Sequence, residues 1–246
     1  MTNKPLAALL FGCMITAQAA SAQSLLPKPQ SFSAGKGAFN TTAKVKLINE
    51  VGTEAENIYS KQWSAKADNN AQQVVRFTRL ANATSPEAYN LHITKDTLLI
   101  SAASADGFRF AWQTIEQLKQ KNGIMACDVQ DAPAFKWRSL MLDVSRHFQP
   151  ISFLKKQIDV MAQYKFNRLH LHLTDAAGWR IEIKRYPRLT SLAAWREGKT
   201  WKEWSKLGCK YKNEGEEGAY GGYYTQDELR DLVKYAAERG ITIVPE

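Results

Sequence analysis

Between residues 138 and 246, short apolar runs alternate with amphipathic helical stretches, and no other feature of the chain limits its fold as much. "RSLMLDV" (138–144) is a run suited to a buried parallel strand. Leu154, Ile158 and Met161 then recur at helical spacing, and Asn167 lies near the end of that helix. "RLHLHLT" (168–174) is the second strand, and a long loop follows from about 175 to 224. "TQDE" (225–228) is a capping box that opens a helix with Leu229, Leu232, Val233 and Ala236 on its buried stripe. Gly240 ends that helix, and "ITIVPE" (241–246) is the third strand. The order predicts a parallel α/β fold, either a (β/α)8 TIM barrel or a doubly wound sheet. No G-x-G-x-x-G follows the first strand, which disfavours dinucleotide binding. Polar residues gather where the strands end: Arg146 and His147, then Asp175, then Glu246. Barrel enzymes keep their sites at those ends. A barrel takes about 250 residues, so this part is expected to be its first three strands, in a truncated chain.

The region before it mixes strands and helices. A Pro/Gly/Ser-rich lead-in, "LLPKPQSFSAGKGAF" (25–39), precedes a strand in "AKVKLIN" (43–49), a helix in "EAENIYSKQWSA" (54–65) and a strand in "QQVVRFTRL" (72–80). "YNLHITKDTLLISAAS" (89–104) reads as a hairpin turning at Lys95-Asp96. Asp106 is a candidate cap for a helix carrying Phe108, Ala111, Ile115 and Leu118, with Gly123 past its end, and "IMACDVQ" (124–130) is a last strand. This is a small α+β domain without a catalytic constellation. The expected organisation is a signal peptide at 1–22, a non-catalytic domain at 23–133, and the N-terminal part of the barrel at 134–246.

The signal peptide follows from Lys4, the apolar "PLAALLFGCMITAQAA" and the small-x-small "ASA" at 20–22. It predicts an exported protein, periplasmic or extracellular. "LFGC" (10–13) offers a second reading, a lipoprotein signal lipidated at Cys13; a lysosomal site would apply to a eukaryotic source. No segment is expected to span a membrane. With 33 Lys and Arg against 24 Asp and Glu the net charge is +9, but the basic residues are scattered, so nucleic acid is not an expected partner. Cys127 and Cys209 fall in different predicted domains and are not expected to pair.

Three motifs have alternative readings. In "LDVSRHF" (142–148), Arg146 is suited either to paired hydrogen bonds with vicinal hydroxyls or a carboxylate, or to tying a loop by a salt bridge. Asp143 and His147 read as structural. In "RLHLHLTD" (168–175), His170 and His172 share one strand face. They suit the filling of a barrel layer better than a metal site, since His92 belongs to the other domain and His147 lacks a partner. "YGGYYT" (220–225) puts aromatics beside a Gly-Gly turn, for packing a loop onto the barrel rim or for stacking on sugar rings.

"WRSLMLDVSRHF", "NRLHLHLTDAAGWRIEIKRYPRLTSLAAWR" and "GGYYTQDELRDLVKYAAERGITIVPE", in that order, resemble the start of the catalytic barrel of glycoside hydrolase family 20, the β-N-acetylhexosaminidases. "YNLHITKDTLLISAASADGFRFAWQTIEQL" resembles the family's non-catalytic N-terminal domain. The resemblance implies removal of terminal non-reducing N-acetylhexosamine from β-linked glycans, by a retaining mechanism in which the substrate's own acetamido oxygen attacks the anomeric carbon. It implies no cofactor and no metal. It implies that Arg146 grips the terminal sugar and that Asp175 supports the general acid through a histidine after Glu246. The general acid Glu and its Asp partner would also lie beyond Glu246, so residues 1–246 alone are expected to be inactive. Readings from other classes are a non-catalytic carbohydrate-binding or scaffold protein, and a metal-dependent amidohydrolase built on His170 and His172.

Overall fold

The computed structural model describes residues 25–53, 55, 62–121 and 123–246. The signal segment, Cys13 and most of the helix expected at 54–65 lie outside the described residues.

The first part is a seven-stranded mixed sheet. Its strands are β1 (Ser31–Asn40), β2 (Val45–Asn49), β3 (Gln73–Arg79), β4 (Tyr89–Ile93), β5 (Thr97–Ala102), β6 (Lys119–Gln120) and β7 (Gly123–Asp131), in the order β1-β7-β4-β5-β3-β2 with β6 also on β7. The hairpin forms as the alternation predicts, with β4 and β5 antiparallel. Helix α1 (Ala105–Leu118) packs on the sheet. Its Phe108, Ala111, Ile115 and Leu118 are buried with Val75, Phe77, Leu91, Leu98 and Ile100 from the strands. Removing each of the larger apolar side chains from water contributes about 1.5–3 kcal/mol. The cap of α1 is Ser104, whose hydroxyl accepts from the Asp106 amide; Asp106 stands inside the first turn. The serine is one residue before the helix, where an oxygen can reach the free N–H groups. The Pro/Gly/Ser-rich lead-in is also more regular than its composition suggests. It enters β1, an edge strand with a register shift between Ala34 and Ala38, where most side chains are exposed.

The second part is a three-stranded parallel sheet, β14-β9-β8, formed by β8 (Ser139–Asp143), β9 (Arg168–His172) and β14 (Thr242–Pro245). Helices α2 (Ile151–Gln163) and α5 (Gln226–Ala237) cover one face. Leu169 and Leu171 point into that layer and pack with Leu154, Ile158, Met161 and Leu232. The Thr225–Glu228 capping box forms, with the Thr225 hydroxyl accepting from the Glu228 amide and the Glu228 carboxylate accepting from the Thr225 amide. The excursion read as one long loop carries its own structure: a hairpin of β10 (Thr174–Asp175) and β11 (Gly178–Trp179), short helices α3 (Arg188–Ser191) and α4 (Trp201–Lys206), and a ladder of β12 (Trp195–Glu197) on β13 (Ala219–Gly221). Tyr224 from "YGGYYT" is buried against Phe148, and Gly222 leaves room for that ring, which a Cβ would meet at 2.5 Å.

The two parts are joined by a buried polar cluster. Lys165 Nζ donates to the Tyr89 hydroxyl at 2.7 Å and pairs with Asp131 at 3.0 Å. Burial outweighs the attraction of Asp131 and holds the Lys165 ammonium below the usual lysine range. Beside it Arg138 pairs with both oxygens of Glu87, at 2.7 and 3.0 Å, and Asn167 holds the Arg138 amide. Cys127 is buried and Cys209 exposed, and both are free thiols. Among the described residues, no helix is long and apolar enough to cross a membrane.

Candidate active site

Alternation along β9 puts Leu169 and Leu171 on the helix-covered face and Arg168, His170 and His172 on the other. Parallel register sets Asp143 of β8 opposite His172, and Val244 of β14 opposite His170. Two residues beyond Val244, Glu246 returns to the same face. Its Oε2 is 2.7 Å from His172 Nδ1 and 2.8 Å from His170 Nε2. His172 Nε2 is 3.2 Å from Asp175 Oδ2, so this imidazole bridges two carboxylates. The two histidines, expected to fill a barrel layer, do lie on the face away from the helices, and there both are hydrogen-bonded parts of a polar cluster at the strand ends.

Arg146 completes the cluster. Its Nη2 lies 2.5 Å from Asp175 Oδ2 and its Nη1 2.8 Å from Asp143 Oδ2, while its backbone amide donates to Asp143 Oδ1 at 3.0 Å. Asp143, expected to be structural, is thus in direct contact with the site. The Arg146 side chain remains 43% exposed, so its guanidinium can reach a ligand as well as tie the loops. His147 stacks on Tyr220 and bonds its hydroxyl at 2.7 Å, away from this cluster.

The electrostatics follow from these contacts. Asp175 is held below the usual carboxylate range, first by the Ala176 amide donating to Oδ1 at 2.6 Å, then by His172 and Arg146. Hydrogen bonds from His172 and His170 lower Glu246. His172 is raised above the ordinary histidine value, mainly by its bond to Glu246 and also by Asp175 and Asp143. A histidine raised on folding adds stability that is complete below its unfolded value and lost as pH rises through its folded one. Lowered carboxylates add stability above their unfolded values, lost as pH falls. The cluster is therefore tightest in the weakly acidic range between these limits. Among the described residues no group of three or more His, Cys, Asp or Glu side chains is arranged to hold a metal ion.

One guanidinium, three carboxylates and two imidazoles gathered at the strand ends suit a polyhydroxylated ligand and proton transfer. The chain matches the family description "Glycosyl hydrolase family 20, domain 2" over residues 22–132 and "Glycosyl hydrolase family 20, catalytic domain" over 135–246. It belongs to glycoside hydrolase family 20. A β-hexosaminidase of Vibrio furnissii is 38% identical over 94% of this chain, and the matched region is 38% of that protein. The family 20 exo-β-N-acetylglucosaminidase of Vibrio harveyi, solved with N-acetylglucosamine, superimposes with a TM-score of 0.72 at 32% identity, over 91% of this chain and 36% of its own. The β-N-acetylhexosaminidase of Bacteroides fragilis gives 0.71 at 28% identity, over 91% of this chain and 44% of its own. The chain thus spans about two fifths of the length of such relatives.

Within this family 20 chain, sequence reasoning singled out Arg146 and Asp175, and the fold brings them into contact. It missed what holds them. Arg180 and Arg196 are both fully buried. Arg180 follows Gly178 and Trp179, and its guanidinium fills the space that a Cβ on Gly178 would occupy, 2.2 Å from that position. A glycine two residues before an arginine was the available signal, but it is a weak one, because arginine is seldom fully buried.

Proposed function

We propose that the whole protein is a β-N-acetylhexosaminidase that removes terminal non-reducing N-acetylglucosamine or N-acetylgalactosamine from β-linked glycans. In this reading the described chain supplies the non-catalytic domain and the first three strands of a (β/α)8 barrel. One observation carries it: Arg146 and Asp175 share a hydrogen-bonded ion pair at the strand ends, beside the raised imidazole of His172. The Vibrio harveyi neighbour solved with N-acetylglucosamine supports the substrate class.

The chemistry is retaining and substrate-assisted. The 2-acetamido oxygen attacks the anomeric carbon as a glutamic acid, supplied by the longer protein, protonates the departing oxygen. Arg146 grips hydroxyls of the terminal sugar, remote from the bond that breaks. Asp175 keeps its negative charge throughout and orients an imidazole that supports the acid. His172 already stands on Asp175 Oδ2, and a second histidine from the longer protein would approach from the open side. The protein is exported, through the signal segment at 1–22.

The test is hydrolysis of an aryl β-N-acetylglucosaminide by the full-length protein, in the presence of EDTA. Turnover with retention at the anomeric carbon is expected. Loss of turnover in EDTA with recovery in zinc would favour an amidohydrolase centred on His170 and His172, and glycan binding without any turnover would favour a carbohydrate-binding protein.

A further inference from the structure

Two buried guanidiniums lie directly behind the cluster. Arg180 donates from Nε to the Val144 carbonyl at 3.0 Å, from Nη2 to Ser145 at 2.7 Å, and from Nη1 to Gly222 at 3.0 Å and to Ala194. Arg196 donates from Nη2 to the Arg146 carbonyl at 2.8 Å and Lys199 at 2.9 Å, from Nη1 to Ala177 at 3.2 Å, and from Nε to Gly198 at 3.2 Å. Each uses four of its N–H bonds on carbonyls, out of the five that a guanidinium has. Among the described residues neither has a carboxylate in hydrogen-bond contact, although Asp143 acts on Arg180 and Glu203 on Arg196 through space. Arg196 is also flanked by the rings of Trp204 and Tyr220, at 5.8 and 5.5 Å.

The carbonyls they hold are not scattered. Val144, Ser145 and Arg146 are consecutive, and together they form the turn that aims the Arg146 side chain. Ala177 sits two residues after Asp175, in the β10–β11 turn, whose Gly178 carbonyl also accepts from Ser145 Oγ at 2.7 Å. Both side chains lie against both turns, but Arg196 is the one of the pair that donates hydrogen bonds to a carbonyl in each, Arg146 and Ala177. It comes from β12, in the excursion that follows β11.

We infer that Arg196, backed by Arg180, is a positioning residue for hydrolysis: its planar fork ties the Arg146 carbonyl to the Ala177 carbonyl and fixes the separation of the Arg146 and Asp175 side chains. This rests on the proposed glycosidase reading. Two buried positive charges with no carboxylate in hydrogen-bond contact are expensive, and burial lowers both guanidiniums, Arg180 to about 10. The local return is four carbonyl contacts per arginine. A lysine would supply the charge without the fork.

The experiment compares full-length wild type, Arg196→Ala and Arg196→Lys. Hydrolysis of an aryl β-N-acetylglucosaminide is measured with and without added guanidinium, with urea as the neutral control of similar shape. Amide hydrogen exchange is followed over residues 143–148, 175–180 and 89–131. A displacement of about 1 Å at a reacting centre can cost about 100-fold. Arg196→Ala is therefore expected to lose about 100-fold in kcat/KM, with KM raised and kcat lowered. Guanidinium, but not urea, should return at least about a tenth of the wild-type value. Arg196→Lys should stay impaired, and exchange should quicken at 143–148 and 175–180 while 89–131 is unchanged. Activity within about threefold of wild type, or a loss with exchange quickened everywhere and no recovery in guanidinium, overturns the inference. If Arg196→Ala does not fold, Arg196→Lys carries the same readouts. If wild type does not cleave the substrate, the glycosidase reading fails separately. Exchange then still decides the clamp, local quickening supporting it and unchanged exchange overturning it.

Discussion

Each of the two sheets exposes a histidine paired with a carboxylate, and the two pairs differ in every respect that matters for chemistry. On the N-terminal sheet, His92 of β4 faces Asp128 of β7 at 2.5 Å, with both side chains more than half exposed. This is an ordinary cross-strand surface pair. On the parallel sheet, His172 is 14% exposed and is shared by Glu246 and Asp175, with Arg146 and Asp143 one contact further on. Alternation along the strand is the same in both. The difference comes from parallel register, which brings three strands' ends to one place, and from the excursion after β9, which covers that place from behind. A polar face becomes a site where several elements deliver charge to one point.

The comparison can be broken most severely at Asp175. In the full-length protein, Asp175→Asn keeps the shape and removes the charge, and kcat should fall by about 100-fold or more, the range of general acid–base support. KM should change much less, and the pH profile should shift. Asp128→Asn should leave both constants unchanged, and steady-state kinetics from about pH 4 to 9 checks both.

Next comes the cluster that joins the two regions. Lys165→Ala leaves Asp131 and the Tyr89 hydroxyl buried without their cation, and should destabilise by about 3–5 kcal/mol. Denaturant unfolding measures it, and a loss below about 1 kcal/mol would mean that the regions are held together by other contacts. Arg146→Ala should lower kcat/KM by about 10- to 100-fold, corresponding to about 1.5–3 kcal/mol of charge-assisted hydrogen bonding. A change within about twofold would leave Arg146 only a loop-tying role. The smallest effect is expected at His92→Ala, within about 0.5 kcal/mol of wild-type stability, because exposed pairs contribute little.

Much of this is legible in the sequence. The apolar runs around Leu142, Leu169 and Ile243, the Thr225–Glu228 capping box and the stripe on α1 are periodic and local, and they fold as read. The shared face of His170 and His172 was also legible. Their convergence on Glu246 was not, because it depends on how β14 registers against β9, 74 residues away in sequence. The strands of the excursion are two or three residues long, too short to show a period. β1 is Gly-rich and mostly solvent-facing, so its composition reads as a loop. Arg180 and Arg196 escape the sequence because their partners are carbonyls, which no side-chain pattern reveals.

The claim on which the rest depends is that His172 is a hydrogen-bonded bridge between Glu246 and Asp175 that holds the strand-end cluster together. The most direct test is an NMR titration of the His172 imidazole in wild type and in Glu246→Gln. The account predicts that His172 titrates above the ordinary histidine value in wild type and falls back toward it in Glu246→Gln, since the bond to Glu246 is the main cause of the rise. A His172 that titrates at or below the ordinary value, or one indifferent to Glu246→Gln, would contradict it.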